Sequence, residues 1–118
     1  MKRDHRLVHL SREHHPALRL GRHLIAGGAG AELRSQSAAL AAHFAEEEGT
    51  LVPLLGAHGH DDLARRLCRE HAELDMLFAA ALRGERETEA GRALIAHVRF
   101  EERELFPAIE TLFEEVLP

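Results

Sequence analysis

The two halves of this 118-residue chain carry the same residues in the same order, and that repeat limits the fold more than any other feature. Leu10-Ser11-Arg12-Glu13-His14 returns as Leu67-Cys68-Arg69-Glu70-His71, an offset of 57 from His14 to His71, and Leu20 and Leu77 keep that register. His43, Glu47, Glu48, Leu51, Pro53 and Leu55 return as His97, Glu101, Glu102, Leu105, Pro107 and Ile109, an offset of 54 from His43 to His97. The three-residue difference falls between the two matched blocks, where the glycines at 27–30 absorb it most easily. The chain therefore reads as two hairpins. Each carries Leu-x-Arg-Glu-His on its first arm and His-x3-Glu-x3-Leu-x-Pro on its second.

The arms read as helices. Glycines at 27–30, 56–59 and 84 cut the chain into four segments rich in Ala, Leu, Glu and Arg, all strong helix formers. No stretch alternates apolar and polar residues as a strand would. The expected helices are 4–26, 31–55, 60–82 and 86–115. Joined by short loops, they make an all-α, up-down-up-down four-helix bundle, one domain over 1–118. Pro16 conflicts locally with the first helix, because it removes a hydrogen bond and crowds the preceding turn. Either the helix kinks near Arg12, or it starts late with Ser11 as N-cap.

Composition narrows the function classes. Lys and Arg number 15 against 20 Asp and Glu, a net charge of −5, which argues against a nucleic-acid or anionic-membrane surface. The longest apolar run, 76–82, is far short of the ~20 residues that span a bilayer. No apolar segment follows the basic start, so no signal peptide is expected and the location expected is cytoplasmic. One Cys excludes an intramolecular disulfide and any cysteine-cluster metal site. Trp and Tyr are absent, which leaves 10 His as the unusual count.

Positions four apart share a helix face, so His43 and Glu47 point one way, as do His97 and Glu101. Both pairs lie in apolar stripes: Leu40, His43, Glu47, Leu51 and Leu54 on the second segment, Leu94, His97, Glu101, Leu105 and Leu112 on the fourth. His71 lies in the row Leu67, His71, Leu74, Phe78, and His14 lies among Leu7, Leu10, Leu18 and Gly21. His15 is the alternative to His14, but polar Ser11 and Arg22 flank its row. Four imidazoles and two carboxylates thus converge inside the bundle. Burying two facing carboxylates costs several kcal/mol each, and bound cations offset this directly. Nitrogen and oxygen donors alone suit iron, manganese, zinc or copper. The His-x3-acid spacing by itself is weak, since His9/Glu13, His58/Asp62 and His71/Asp75 share it. Cys68 reads as a packed or half-buried thiol, and His5 and His9 as polar-side residues. Glu46, Glu48 and Glu102 read as solvated partners for arginine. Leu51-Val52-Pro53 and Leu105-Phe106-Pro107 read as structural, each Pro bending or ending its helix beyond the site.

The pattern resembles the hemerythrin-like (HHE cation-binding) domain family. An early Arg-Glu-His, then His-Phe-x2-Glu-Glu-x2-Leu-x-Pro, a third His, and His-x3-Glu-Glu-x2-Leu-Phe-Pro carry the resemblance over nearly the whole chain. It implies a four-helix bundle around a non-haem di-iron centre that binds dioxygen, nitric oxide or related ligands. By that resemblance His14, His43, His71 and His97 are terminal ligands, and Glu47 and Glu101 bridge. The chain departs from oxygen-carrying hemerythrins at Leu67, where they have a histidine, and at His97-x3-Glu101, where they have His-x4-Asp. A four-His, two-Glu set suits sensing, iron handling or redox protection better than reversible oxygen carriage. The expected function is a non-enzymatic metal-binding domain whose small partners are dioxygen, nitric oxide or peroxide. One rival is a di-iron enzyme acting on peroxide or nitric oxide. The other is a structural bundle with one zinc or no metal, working through an unidentified protein partner.

Overall fold

A computed structural model describes residues 2–116. Four helical rods and no strands make up the described residues: α1 (Val8–Ala26), α2 (Gly30–Ala57), α3 (Asp61–Leu82), and a fourth rod built from α4 (Glu87–Phe100), a π-helical turn (Glu101–Leu105) and α5 (Phe106–Val116). Loops of three or four residues turn the chain back on itself, with Gly27, Gly28, Gly59 and Gly84 supplying the positive φ that such turns need. Each rod packs on its chain neighbours, and α1 closes the ring against α4, giving a four-helix bundle of 46 × 25 × 20 Å. Among the described residues, no helix is long and apolar enough to cross a membrane.

Three local expectations change. The first helix begins at Val8 rather than at residue 4, with Leu7 at the N-cap position, so the late start capped by Ser11 is overturned. Asp4 explains the delay: its carboxylate accepts from the Arg6 backbone and guanidinium, and its carbonyl accepts from Leu7 N–H at 2.9 Å, fixing a turn in place of a helical start. Pro53 does not end its helix, because α2 runs on to Ala57. The fourth rod is not one regular α-helix. Phe106 N–H bonds to Glu101 O, five residues back, in the turn just before Pro107.

The core splits into two apolar clusters with a polar layer between them. One holds Leu20, Leu24, Leu33, Leu40, Phe44, Leu77 and Leu94, toward the end closed by the 27–29 and 83–86 loops. The other holds Leu10, Leu51, Leu55, Leu67, Leu105, Phe106 and Phe113 at the opposite end. Between them the buried polar residues are His14, His43, Glu47, His71, His97 and Glu101.

The α1–α4 seam is the tightest. A Cβ on Gly91 would sit 2.4 Å from the Gly21 carbonyl oxygen, and one on Gly21 would meet Ile95 at 2.7 Å. Gly91→Ala is therefore expected to destabilise the fold by about 1–3 kcal/mol, because backbone must shift. Gly49, on an exposed helical surface with open space around it, sets the contrast. Gly49→Ala is expected to raise stability by about 0.5–1 kcal/mol through helix propensity. Urea unfolding midpoints of the two variants check both signs.

Candidate metal centre

Each hairpin brings two histidines and one glutamate into the polar layer. α1 supplies His14, α2 His43 and Glu47, α3 His71, α4 His97, and the first residue of the π-helical turn is Glu101. All six are buried, and both glutamates are fully so. His15 is exposed, whereas His14 is buried within the layer. His14, His43, Glu47 and Glu101 form one set able to hold a metal ion, and Glu47, His71, His97 and Glu101 form a second. Within each set the ligand atoms lie within 4.8 Å of one another. Both glutamates belong to both sets, so the geometry offers two adjacent metal positions sharing two carboxylates.

The imidazole Nε2 atoms face inward. His14 Nε2 lies 2.7 Å from Glu101, and His43 and His71 Nε2 each lie 3.0 Å from Glu47. His97 Nε2 is 3.0 Å from Glu101 but lacks hydrogen-bond alignment, and Glu47 Oε2 and Glu101 Oε2 are likewise buried without a partner. Three orphaned polar atoms around one point in an otherwise satisfied core are what a bound cation would complete.

The outer Nδ1 atoms face four further glutamates. His14 Nδ1–H donates to Glu102, His43 to Glu13, His71 to Glu48 and His97 to Glu70, each at 2.7 Å. A carboxylate on Nδ1 fixes the ring's orientation and leaves Nε2 as the inward donor, the arrangement expected of metal-binding imidazoles. These glutamates are themselves matched by the repeat: Glu13 with Glu70, Glu48 with Glu102. The bonds exchange in the same way, α1 for α3 and α2 for the fourth rod, so the centre has local two-fold symmetry. Glu48 and Glu102 are thus not merely solvated partners for arginine. Glu102 does meet Arg3, at 2.9 Å, and also accepts from Ser11 Oγ at 2.7 Å. Glu46 pairs with the exposed His9, away from the centre. Cys68 is half-buried, with burial pushing its thiol up, and belongs to neither set.

Aromatic rings line the layer. Phe44 stacks on His71 with centroids 4.2 Å apart, and Phe106 stacks on His14 at 5.6 Å. Phe106 follows the π-helical turn directly, and its ring is wholly buried there.

Electrostatics show how charge is held without metal. Burial opposes protonation of His43, but hydrogen bonds to Glu101 and Glu47 outweigh it and push the ring up to about 11. His71 is pushed up to about 9 by the same balance, with Glu101, Glu47 and Glu48 as its partners. Burial would raise Glu101, yet the four imidazoles gathered around it, with His14 bonded to it at 2.7 Å, hold its carboxyl well below the usual range. Burial raises Glu47. Glu70 and Glu102 are held below the usual carboxylate range, because hydrogen bonds from His97 and Arg66, and from Ser11 and His14, outweigh their partial burial.

A sign follows for the metal-free protein. His43 and His71 keep a proton after folding at pH values where the unfolded rings, near 6.5, have lost theirs. The stability they contribute is complete below about pH 6.5 and is lost as pH rises, first through about 9 for His71 and then through about 11 for His43. The thermal midpoint of the metal-free protein is expected to fall between pH 7 and 10. With metal on the Nε2 atoms those protons are gone and the slope should vanish. Paired melting curves with and without bound metal check this, and equal slopes would count against metal at these rings. Comparison with protein-family models, curated proteins and solved structures finds no match to this chain.

Proposed function

We propose that this chain is a hemerythrin-like domain holding a non-haem di-iron centre. The observation that carries the reading is the pair of buried carboxylates, Glu47 and Glu101, shared between two histidine pairs with orphaned oxygens between them. His14 and His43 would hold one metal, His71 and His97 the other, with both glutamates bridging. Nitrogen and oxygen donors of this kind also accept zinc and other divalent ions, so iron is assigned by the resemblance of the His and Glu pattern.

The chain's own residues suit a small exogenous ligand. Two imidazoles and two shared carboxylates per metal leave coordination positions open. Leu10 and Leu67 lie one turn before His14 and His71, almost wholly buried, and offer no donor. Apolar clusters above and below exclude bulk water, so a small uncharged molecule is favoured over a hydrated ion at those positions. When bound, the iron pair supplies one-electron chemistry and affinity for dioxygen, nitric oxide or peroxide. The four outer glutamates orient the rings and balance the charge on them. Sensing or handling of iron and oxidants fits this set better than carriage.

Anaerobic reconstitution with ferrous iron tests the reading. About two irons per chain are expected, with a new visible absorption when oxygen is admitted. His14→Ala should remove about one of the two, because it serves one position only. Glu101→Ala should abolish stable loading of both, because it serves each. One iron or none in the parent chain, or equal loss from the two variants, would refute the paired centre. Tight zinc binding with indifference to iron would refute the assignment of iron.

A further inference from the structure

Glu47 and Glu101 are sealed from solvent, yet one seam of the bundle opens as far as His97 beside them. Between α3 and α4 lies a cleft of about 150 Å³, walled by Arg66, Glu70, Glu73 and Leu74 on one side and by Ala93, Ala96 and His97 on the other. The α3 positions recur at helical spacing and form one face, while the two alanines leave the seam underfilled. His97 is the inner wall. Its Nδ1–H donates to Glu70, and its Nε2 is one of the three orphaned atoms of the centre.

Charge in the cleft is unevenly committed. Arg66 is fully engaged: its Nε donates to Glu70 at 2.8 Å, its Nη1 lies 3.3 Å from Glu104, and its guanidinium sits 4.0 Å over the Phe100 ring. Glu70 accepts from both Arg66 and His97. Glu73 is exposed and makes no ion pair with any described residue; the nearby Arg86 is already paired with Glu89, so the net charge at the mouth stays negative. The two-fold-related seam between α1 and α2 differs at this point. Counting by the repeat, Pro16 stands where α3 has Glu73, and His9 stands where it has Arg66, already paired with Glu46.

We propose that the α3–α4 cleft is the route by which a divalent cation reaches the centre, with Glu73 as the attracting charge and Glu70 as the door against His97. The proposal rests on the di-metal reading above and adds to it a direction of loading. A neutral ligand gains nothing from Glu73, whereas a hydrated dication is drawn by a free carboxylate beside a low-dielectric wall. Only small movements are required, since Glu70 need only turn from Arg66 and His97 to expose the ring edge behind it.

Stopped-flow uptake of ferrous or cobaltous ion by the metal-free protein tests this. Glu73→Gln should slow uptake by up to about tenfold, at the low end of charge steering, and Ala96→Phe should slow it by filling the cleft. Final metal per chain and the visible spectrum should match the parent, because neither residue touches the centre. Ala42→Phe, at the matching position of the α1–α2 seam, should load at the parental rate. Added salt should slow the parent and leave Glu73→Gln nearly unchanged. Parental rates in Glu73→Gln and Ala96→Phe, or equal slowing by Ala42→Phe, would overturn the route and leave the centre standing. A parent chain that takes up no metal would overturn the di-metal reading itself, and the route with it.

Discussion

Two carboxylates that approach one another inside an apolar bundle govern what surrounds them. An ionised side chain removed from water costs several kcal/mol even after relaxation, and a second of the same sign beside it costs more. Glu47 and Glu101 are tolerated because four imidazoles point their inner nitrogens at them. Those rings are in turn held from outside by Glu13, Glu48, Glu70 and Glu102. Alternating charge thus runs from the middle of the bundle to its surface, and the apolar clusters at either end keep water from shortening the chain of bonds. Removing any one member leaves a neighbour buried and unpaired, which is the expensive case.

The fourth rod carries an unusual share of that arrangement. Glu101 opens its π-helical turn, Glu102 follows on the outside of His14, and Phe106 closes the turn against the same ring. The segment before α1 reinforces it: Arg3 bonds both Glu102 and Glu110, and the Asp4 backbone N–H donates to Glu110 at 2.6 Å. His14 is therefore positioned by residues from both ends of the described chain. The counterpart on the other half, His71, has only the half-exposed Glu48 behind it, with Phe44 stacked on its face.

Much of this was legible before any coordinates. Helical spacing placed His43 with Glu47 and His97 with Glu101 on inward faces, and the repeat separated His14 from exposed His15. The reading of Glu48 and Glu102 as arginine partners misses their bonds to His71 and His14, because a stripe drawn on one helix ignores what a neighbouring helix brings alongside. Glu13 and Glu48 are solvent-side on their own helices, and each still reaches a ring on the next one. The repeat held the needed signal, since it preserves Glu13 as Glu70 and Glu48 as Glu102. The π-helical turn had no such signal. Pro53 and Pro107 sit at matched positions, yet only the fourth rod widens, so the proline alone does not dictate the turn. The delayed start of α1 was hidden for a different reason: the Asp4 side chain competes locally with the helix.

The two-fold relation between the halves reaches beyond the centre. One hairpin holds two imidazoles and a single buried carboxylate, while either set able to hold a metal ion includes two carboxylates, one from each hairpin. No hairpin alone is self-sufficient, and two copies facing each other across a dyad would be. The layout is that of a closed symmetric dimer whose subunits have been fused head to tail. Fusion then frees the two copies to diverge: the acid of the α3 seam and the proline of α1, or Phe44 and its counterpart Val98, are differences that an assembly of identical subunits could never hold.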